Sequence, residues 1–281
     1  MAPAFGGGKD RIFVQTMTSP LHDLVLDAGN TRMKAALFHG GGTLRWTTLA
    51  NGDLAGLRAW AGERSVQSIA LGSVAAPDPA FEAALGEWAP LTVLSGTSPA
   101  PVRNAYGSPL TLGVDRLANA MGAWSLFPQR AVIAVDLGTC ITYDAVDASG
   151  TYRGGLIAPG MTMRARAMNA YSARLPLVRP EAVPALLGTD TTGSLLAGVH
   201  HGVRAELVTL LHDLGHEMPG AAVVLTGGDA LRFSRALKSG IFADPLLTLR
   251  GLHAILQHHR HLGIAPSGPP AGDPRNGPVG R

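Results

Sequence analysis

The sequence predicts an α/β protein built from two related halves. Short apolar runs alternate with amphipathic helical stretches along most of the chain, the pattern of strands interleaved with helices around a mixed sheet. An apolar run ending in an Asp-x-Gly turn also occurs twice, at Asp27-Ala28-Gly29 and at Asp136-Leu137-Gly138, 109 residues apart. Each turn is followed by a further apolar run, so the repeated unit reads as a β-hairpin and its recurrence as a duplicated domain.

The elements follow in order. Leu24 to Leu26 runs into the turn formers Asp27 to Asn30, and Met33 to Phe38 resumes as the returning strand. Ser68 to Val74 reads as a strand, Pro79 to Trp88 as a helix opened by its proline, and Leu91 to Leu94 as another strand. An Ala-rich helical stretch covers Leu117 to Trp124. In the second half, Ala131 to Val135 leads into Asp136, and Ile141 to Val146 returns before a turn at Ser149-Gly150. A Gly154-Gly155 turn is expected next, then helices over Met161 to Tyr171 and Thr192 to Leu214, and a strand over Ala222 to Thr226. The turn Gly227-Gly228-Asp229, a helix around Leu231 to Leu237 and a last helix over Leu249 to Leu262 complete the plan.

The halves are placed at 23–125 and 126–264. Residues 1–22 lack the continuous apolar core of a secretory signal and read as a disordered leader, with Met17 as an alternative start. Residues 265–281 are rich in Pro and Gly and cannot offset the entropy of ordering, so a disordered tail is expected.

Composition narrows the function. Of 281 residues, 46% are hydrophobic and 15% charged, enough to bury a large core. The formal charge of +3 is small, and the cations are scattered rather than striped among aromatics, which argues against a nucleic-acid surface. The apolar runs are far shorter than the roughly 20 residues of a membrane span. Cys140 is the only cysteine, so an internal disulfide and a four-cysteine zinc site are impossible, and the reducing cytosol is the expected compartment. No activating His or Asn lies near Cys140 in sequence, and a small buried hydrophobe is its expected role.

Three segments can do chemistry. Asp27-Ala28-Gly29-Asn30-Thr31, followed by Lys34, joins a turn whose Gly29 lets backbone approach an anion to an amide, a hydroxyl and a cation; a nucleotide phosphate is the fitting ligand. A plain hairpin turn would use the same residue types, but a second such turn at Asp136-Leu137-Gly138-Thr139 favours two turns gripping one nucleotide across a cleft. Backbone amides at Gly29 and Gly138 are expected to face the γ-phosphate. Carboxylates beside phosphate need a cation between them, so Asp27 and Asp136 imply Mg²⁺ or a monovalent ion. Gly113-Val114-Asp115-Arg116 precedes the Ala-rich helix: Asp115 can accept a proton from an attacking hydroxyl and Arg116 can bind a carboxylate or phosphate, although a capping Asp beside a surface Arg would look alike.

Taken together and in order, these segments resemble type III pantothenate kinases. The resemblance rests on Asp27-x-Gly-Asn-Thr-x-x-Lys34, Tyr106 with Pro109, Gly113-x-Asp-Arg116, Asp136-x-Gly-Thr139, Gly154-Gly155-x-Ile157-x-Pro-Gly160, and Gly188-x-x-Thr191 followed by Gly198, and spans about Leu24 to His261. It implies two ribonuclease-H-like halves, as in the actin, sugar-kinase and Hsp70 group, closing on ATP. It also implies ATP-dependent phosphorylation of pantothenate to 4'-phosphopantothenate, the first step of coenzyme A synthesis.

Residue by residue, the resemblance makes Asp27, Ala28, Gly29, Asn30, Thr31, Arg32, Met33 and Lys34 the first ATP phosphate loop and gives Thr139 a phosphate contact. Asp115 becomes the general base. Tyr106, Gly113, Val114, Asp115, Arg116 and Thr191 form the pantothenate pocket, Asp136 holds K⁺ or NH₄⁺ beside the Mg²⁺ of ATP, and Gly227-Gly228-Asp229 faces adenosine. A homodimer is implied too. Cys140 after Gly-Thr and Thr189-Asp190 before Thr191 depart from the family pattern. His258, His259 and His261 are expected at a solvated helix end rather than on a metal. Rival readings are another kinase of the same fold, for a sugar or acetate, and a non-catalytic nucleotide-binding regulator.

Overall fold

The run Leu24-Val25-Leu26 forms the centre of β1 (His22–Ala28), with all three side chains fully buried. A strand apolar on both faces belongs in the middle of a covered sheet. It pairs antiparallel with β2 (Met33–His39) and parallel with β4 (Val66–Ser73); β3 (Gly42–Leu49) and β5 (Leu91–Leu94) complete a sheet of order β3-β2-β1-β4-β5. The computed structural model describes residues 20–234, 237 and 241–267. Most of the expected leader and tail, and the end of the helix expected around Leu231 to Leu237, lie outside the described residues.

The second sheet has the order β11-β10-β7-β8-β9-β6, formed by β6 (Arg103–Asn104), β7 (Val132–Leu137), β8 (Cys140–Val146), β9 (Thr151–Pro159), β10 (Ala222–Thr226) and β11 (Ile241–Ala243). Read from β9 to β11, it repeats the first sheet in strand order: β9, β8 and β7 form an antiparallel meander, β7 pairs in parallel with β10, and β10 in parallel with β11. β6 is an addition at its edge, parallel to β9.

Two strands depart from expectation. β3 is an edge strand whose residues alternate between half-buried and exposed, with Arg45, Thr47 and Thr48 in place of an apolar run. β9 contains the Gly154-Gly155 pair expected as a turn. A Cβ on Gly155 would lie 1.5 Å from the Tyr143 carbonyl oxygen, so this glycine permits close pairing with β8 rather than chain reversal. The reversal occurs at Ser149-Gly150, where Gly150 has φ +77°.

Helices fill three layers. α1 (Leu54–Ala61) and α2 (Pro79–Trp88) cover the outer face of the first sheet, burying Leu57, Phe81 and Leu85 against β1 and β4. Both begin at an aspartate, Asp53 and Asp78, that accepts a hydrogen bond from the third helical N–H. α4 (Met161–Ala170) and the 27-residue α5 (Thr191–Glu217) cover the outer face of the second sheet, and α6 (Ala230–Ser234) follows β10.

Between the sheets lie α3 (Val114–Leu126) and α7 (Leu247–His261), inside a core drawn from both sheets, including Val25, Phe38, Val132 and Val224. α3 packs mainly on β7 and β8, α7 on β1, β2 and β4. The helices touch at backbone distance, because a Cβ on Gly251 of α7 would lie 1.7 Å from the Ala118 carbonyl oxygen of α3.

α7 is also clamped to the first sheet by charge. The buried Asp23 carboxylate on β1 accepts Ser68 and Gln67 side chains from β4 and His253, Gln257 and Arg260 from α7. Burial alone would raise its pKa, but hydrogen bonds from His253 and Arg260, with the Arg260 charge, hold it well below the usual carboxylate range. The solvated end expected for the three histidines holds for His261, whereas His259 turns inward, is only 6% exposed, and burial lowers its pKa. Among the described residues no group of three or more His, Cys, Asp or Glu side chains could hold a metal.

Candidate active site

Both Asp-x-Gly turns leave the same kind of place, the carboxyl end of a central strand paired in parallel with its neighbour, where open α/β sheets form ligand crevices. The strand registers bring further residues alongside. Asp27 faces Lys34 across the first hairpin, Lys34 faces Thr48, and Asp136 faces Thr142 on one side and Thr226 on the other. The two turns and the start of α3 meet at one cavity of about 490 Å³, lined by Asp27, Gly29, Asn30, Thr31, Arg32, Lys34, Asp115, Asp136, Gly138, Thr139 and Cys140. Thr48, Val74, Thr142, Gly227, Gly228 and Thr248 complete it.

The cavity thus gathers three carboxylates against two cations. Burial pushes the Asp27 carboxyl up to about 7; Lys34 opposes the shift, while the Asp136 and Asp115 charges add to it. Asp136 is raised as well, first by burial and further by Asp115, against the pull of Lys34 and of Asn119, whose Nδ2–H donates to Oδ2 at 3.1 Å. Half-buried carboxylates that outnumber the cations of one cavity favour a bound cation over a bound anion alone. Asp115 sits in the first turn of α3, where its Oδ1 accepts the Arg116 backbone N–H at 2.8 Å.

Some expected contacts fall elsewhere. The two glycine amides assigned to phosphate donate within their own turns, Gly29 N–H to the Arg32 carbonyl at 3.1 Å and Gly138 N–H to the Cys140 carbonyl at 3.1 Å. Asn30, Thr31 and Thr139 are exposed in the cavity wall. Ala28, Met33 and Val114 bury their side chains in the core, which leaves only their backbone to face a ligand. Cys140 is half-buried and lines the cavity, correcting its expected role as a buried hydrophobe.

Arg116 is buried and committed to Asp144, with Nε at 2.9 Å and Nη2 at 2.8 Å from Oδ1, while the Tyr152 hydroxyl donates to the same oxygen at 2.8 Å. Burial raises the Asp144 carboxyl to about 6 despite the Arg116 charge. The Arg116 guanidinium also lies 5.6 Å from the centre of the Tyr106 ring, which leans on Tyr152. Arg116 therefore orients Tyr106 rather than presenting a free cation. Tyr106, Arg116 and Thr191 lie outside the cavity that Asp115 lines. Thr191 is the exposed first residue of α5, and Asp190, one of the two departures from the family pattern, caps that helix by accepting the Gly193 N–H at 2.7 Å.

Thr48, Thr142 and Thr248 were not anticipated. Thr48 and Thr142 could have been found as cross-strand partners of Lys34 and Asp136 once hairpin register was counted. Thr248 comes from the far end of the chain and gives no local signal; its hydroxyl donates to Asn119 Oδ1 at 2.8 Å.

Two repeated α/β units with a loop from each converging on one cavity define the class, a two-lobed α/β protein whose charged cleft is built from both halves. The family model described as Type III pantothenate kinase matches residues 23–212, and the chain belongs to that family. Curated relatives named type III pantothenate kinase include one from Bacteroides fragilis, 37% identical over 238 residues covering 84% of this chain and 98% of the relative. Another, from Porphyromonas gingivalis, is 36% identical over 241 residues, again 84% of this chain and 98% of the relative. Among solved structures, a Campylobacter jejuni protein described as a Baf family transcriptional activator matches with a TM-score of 0.53 and 21% identity, covering 85% of this chain and 99% of that one, which shows a shared fold.

Proposed function

We propose that the cavity carries out the reaction of the family, transfer of the γ-phosphoryl group of ATP to the primary hydroxyl of pantothenate, opening coenzyme A synthesis. The observation that supports it most is Asp115, placed at the same cavity as both phosphate turns. Phosphoryl transfer needs an aligned hydroxyl, an acceptor for its proton and neutralisation of spreading charge. Asp115 takes the hydroxyl proton on its carboxylate as the oxygen–phosphorus bond forms and the bond to ADP breaks. Lys34 and Arg32 offset charge on the phosphates, and Asn30, Thr31 and Thr139 donate hydrogen bonds to them.

The excess of carboxylate over cationic side chains in the cavity fits cations at this site. Asp27 would hold the Mg²⁺ that accompanies ATP and Asp136 a K⁺ or NH₄⁺; bound there, both ions neutralise phosphate charge. Asp27 and Asp136, half-buried at the ends of their strands, would supply the oxygen ligands, and Asn119 fixes the Asp136 carboxylate.

Gly113, Tyr106 and Thr191 would shape the pantothenate side, with Arg116 holding Tyr106. We further propose a homodimer. Exposed apolar side chains gather on β9, at Leu156 and Ile157, and on the segment before α5, at Val183, Leu186 and Leu187; a second copy is the partner that would cover them. No helix among the described residues is long and apolar enough to cross a membrane, and a cytosolic location fits the single free thiol.

A coupled ADP-release assay tests the assignment. Pantothenate should support turnover with ATP while glucose, acetate and N-acetylglucosamine do not; turnover with a sugar or acetate alone would replace it with another kinase of this fold, and none with any acceptor would leave a nucleotide-binding regulator.

A further inference from the structure

The C-terminal half of α5 carries a histidine pair that the phosphotransfer site does not use. His212 and His216 are four residues apart, so they stand one above the other on one helix face. Their Nε2 atoms are 3.2 Å apart and the rings meet edge to face at 4.5 Å between centres. A metal ion bound to two imidazole nitrogens at about 2.0–2.1 Å, with an angle between right and tetrahedral, needs those nitrogens roughly 2.9–3.4 Å apart. The pair already has that spacing.

The protonation pattern also suits a ligand. His212 Nδ1 lies 3.1 Å from Asp213 Oδ1, so Nδ1 carries the proton that it donates to the carboxylate, which leaves the Nε2 lone pair of His212 free. A carboxylate behind a metal-binding imidazole fixes the tautomer and raises ligand basicity in this same way. Without metal, Nε2 of His216 can only donate its proton to Nε2 of His212; a metal would replace that proton. His212 is 69% exposed and His216 is exposed too, so water can fill the remaining positions of an ion.

We propose that His212 and His216 chelate a divalent first-row transition metal ion on the surface of α5, with Asp213 holding His212 in the ligating tautomer. Two imidazoles favour Zn²⁺, Ni²⁺ or Cu²⁺ over Mg²⁺, which prefers oxygen. The site is therefore chemically separate from the cations of the phosphate cleft, and it stands whether or not the proposed reaction is correct.

The test is calorimetric titration of the full chain with ZnCl₂ and, separately, NiCl₂, in excess Mg²⁺ at pH 7.5, comparing the unaltered protein with His212→Ala, His216→Ala and Asp213→Asn. The unaltered chain should bind one ion more than either alanine variant, and Asp213→Asn should bind it about tenfold more weakly. Because the three residues lie outside the catalytic cavity, all variants should keep the unaltered kcat. Equal stoichiometry and affinity in the unaltered chain and both alanine variants would overturn the site, and an unchanged affinity in Asp213→Asn would remove Asp213 from it.

Discussion

Asn119 and Asp136 are joined across the centre of the molecule. The Asn119 amide, 1% exposed on α3, donates to Asp136 Oδ2 at 3.1 Å while its oxygen accepts the Thr248 hydroxyl from α7. One side chain thus ties the second phosphate turn to both central helices. Asn119→Ala strands two polar groups in a buried place, at a cost on the order of 1–3 kcal/mol each. Thermal unfolding should show a midpoint several degrees lower, and an unchanged midpoint would mean that the network carries no stability.

Asp115→Asn keeps the shape of the side chain and removes its capacity to take a proton. Turnover should fall about 100- to 10,000-fold while nucleotide affinity, followed by a fluorescent ATP analogue, stays within about twofold. Near-normal turnover would exclude Asp115 as the base.

Asp136 lies at the inner edge of the cleft, where an unscreened like charge at about 4 Å costs on the order of 4 kcal/mol at intermediate dielectric. Turnover in Tris with Mg²⁺ alone should be low and rise steeply on adding K⁺ or NH₄⁺, and Asp136→Ala should erase that rise. Equal activity with and without K⁺ would leave Asp136 as a turn residue.

The Asp23 carboxyl is depressed in the folded chain, so its stabilisation is complete above the unfolded carboxylate value near 4 and fades as pH falls below it. Asp23→Asn leaves Arg260 and His253 facing a neutral amide, a loss of about 3 kcal/mol at pH 7. Denaturant unfolding from pH 7 down to about pH 2 should show the two proteins converging only below about pH 4. A gap that stays constant over that range would assign the loss to packing instead.

Gly251→Ala places a methyl group on the Ala118 carbonyl and should destabilise by about 1–3 kcal/mol or more. Gly202→Ala, on α5 with open space around the added atom, should instead stabilise by up to about 1 kcal/mol. Similar unfolding midpoints for the two variants would mean that the helices separate easily.

Much of this was legible in the chain before its fold. The two central hairpins, α2 and β5 fall where their apolar runs and turn residues put them, because a strand buried on both faces or a Pro-opened helix leaves a strong local pattern. β3 escaped because an edge strand needs few apolar residues, and β9 because Gly155 has the same appearance whether a chain turns or packs tightly. At the site, the charged and hydroxyl residues of the loops could be read directly. The engagement of Arg116 by Asp144, the inward turn of His259 and the arrival of Thr248 depend on contacts between distant segments, which leave no periodic trace.

The contact of Gly251 with Ala118 has a mechanical side. One helix rides on each sheet, and the two meet with no side chain between their backbones. That single bare contact sets the spacing of the halves as a spacer sets the gap between two plates. A residue larger than glycine at position 251 would wedge the plates apart, and with them the two Asp-x-Gly turns that wall the cavity.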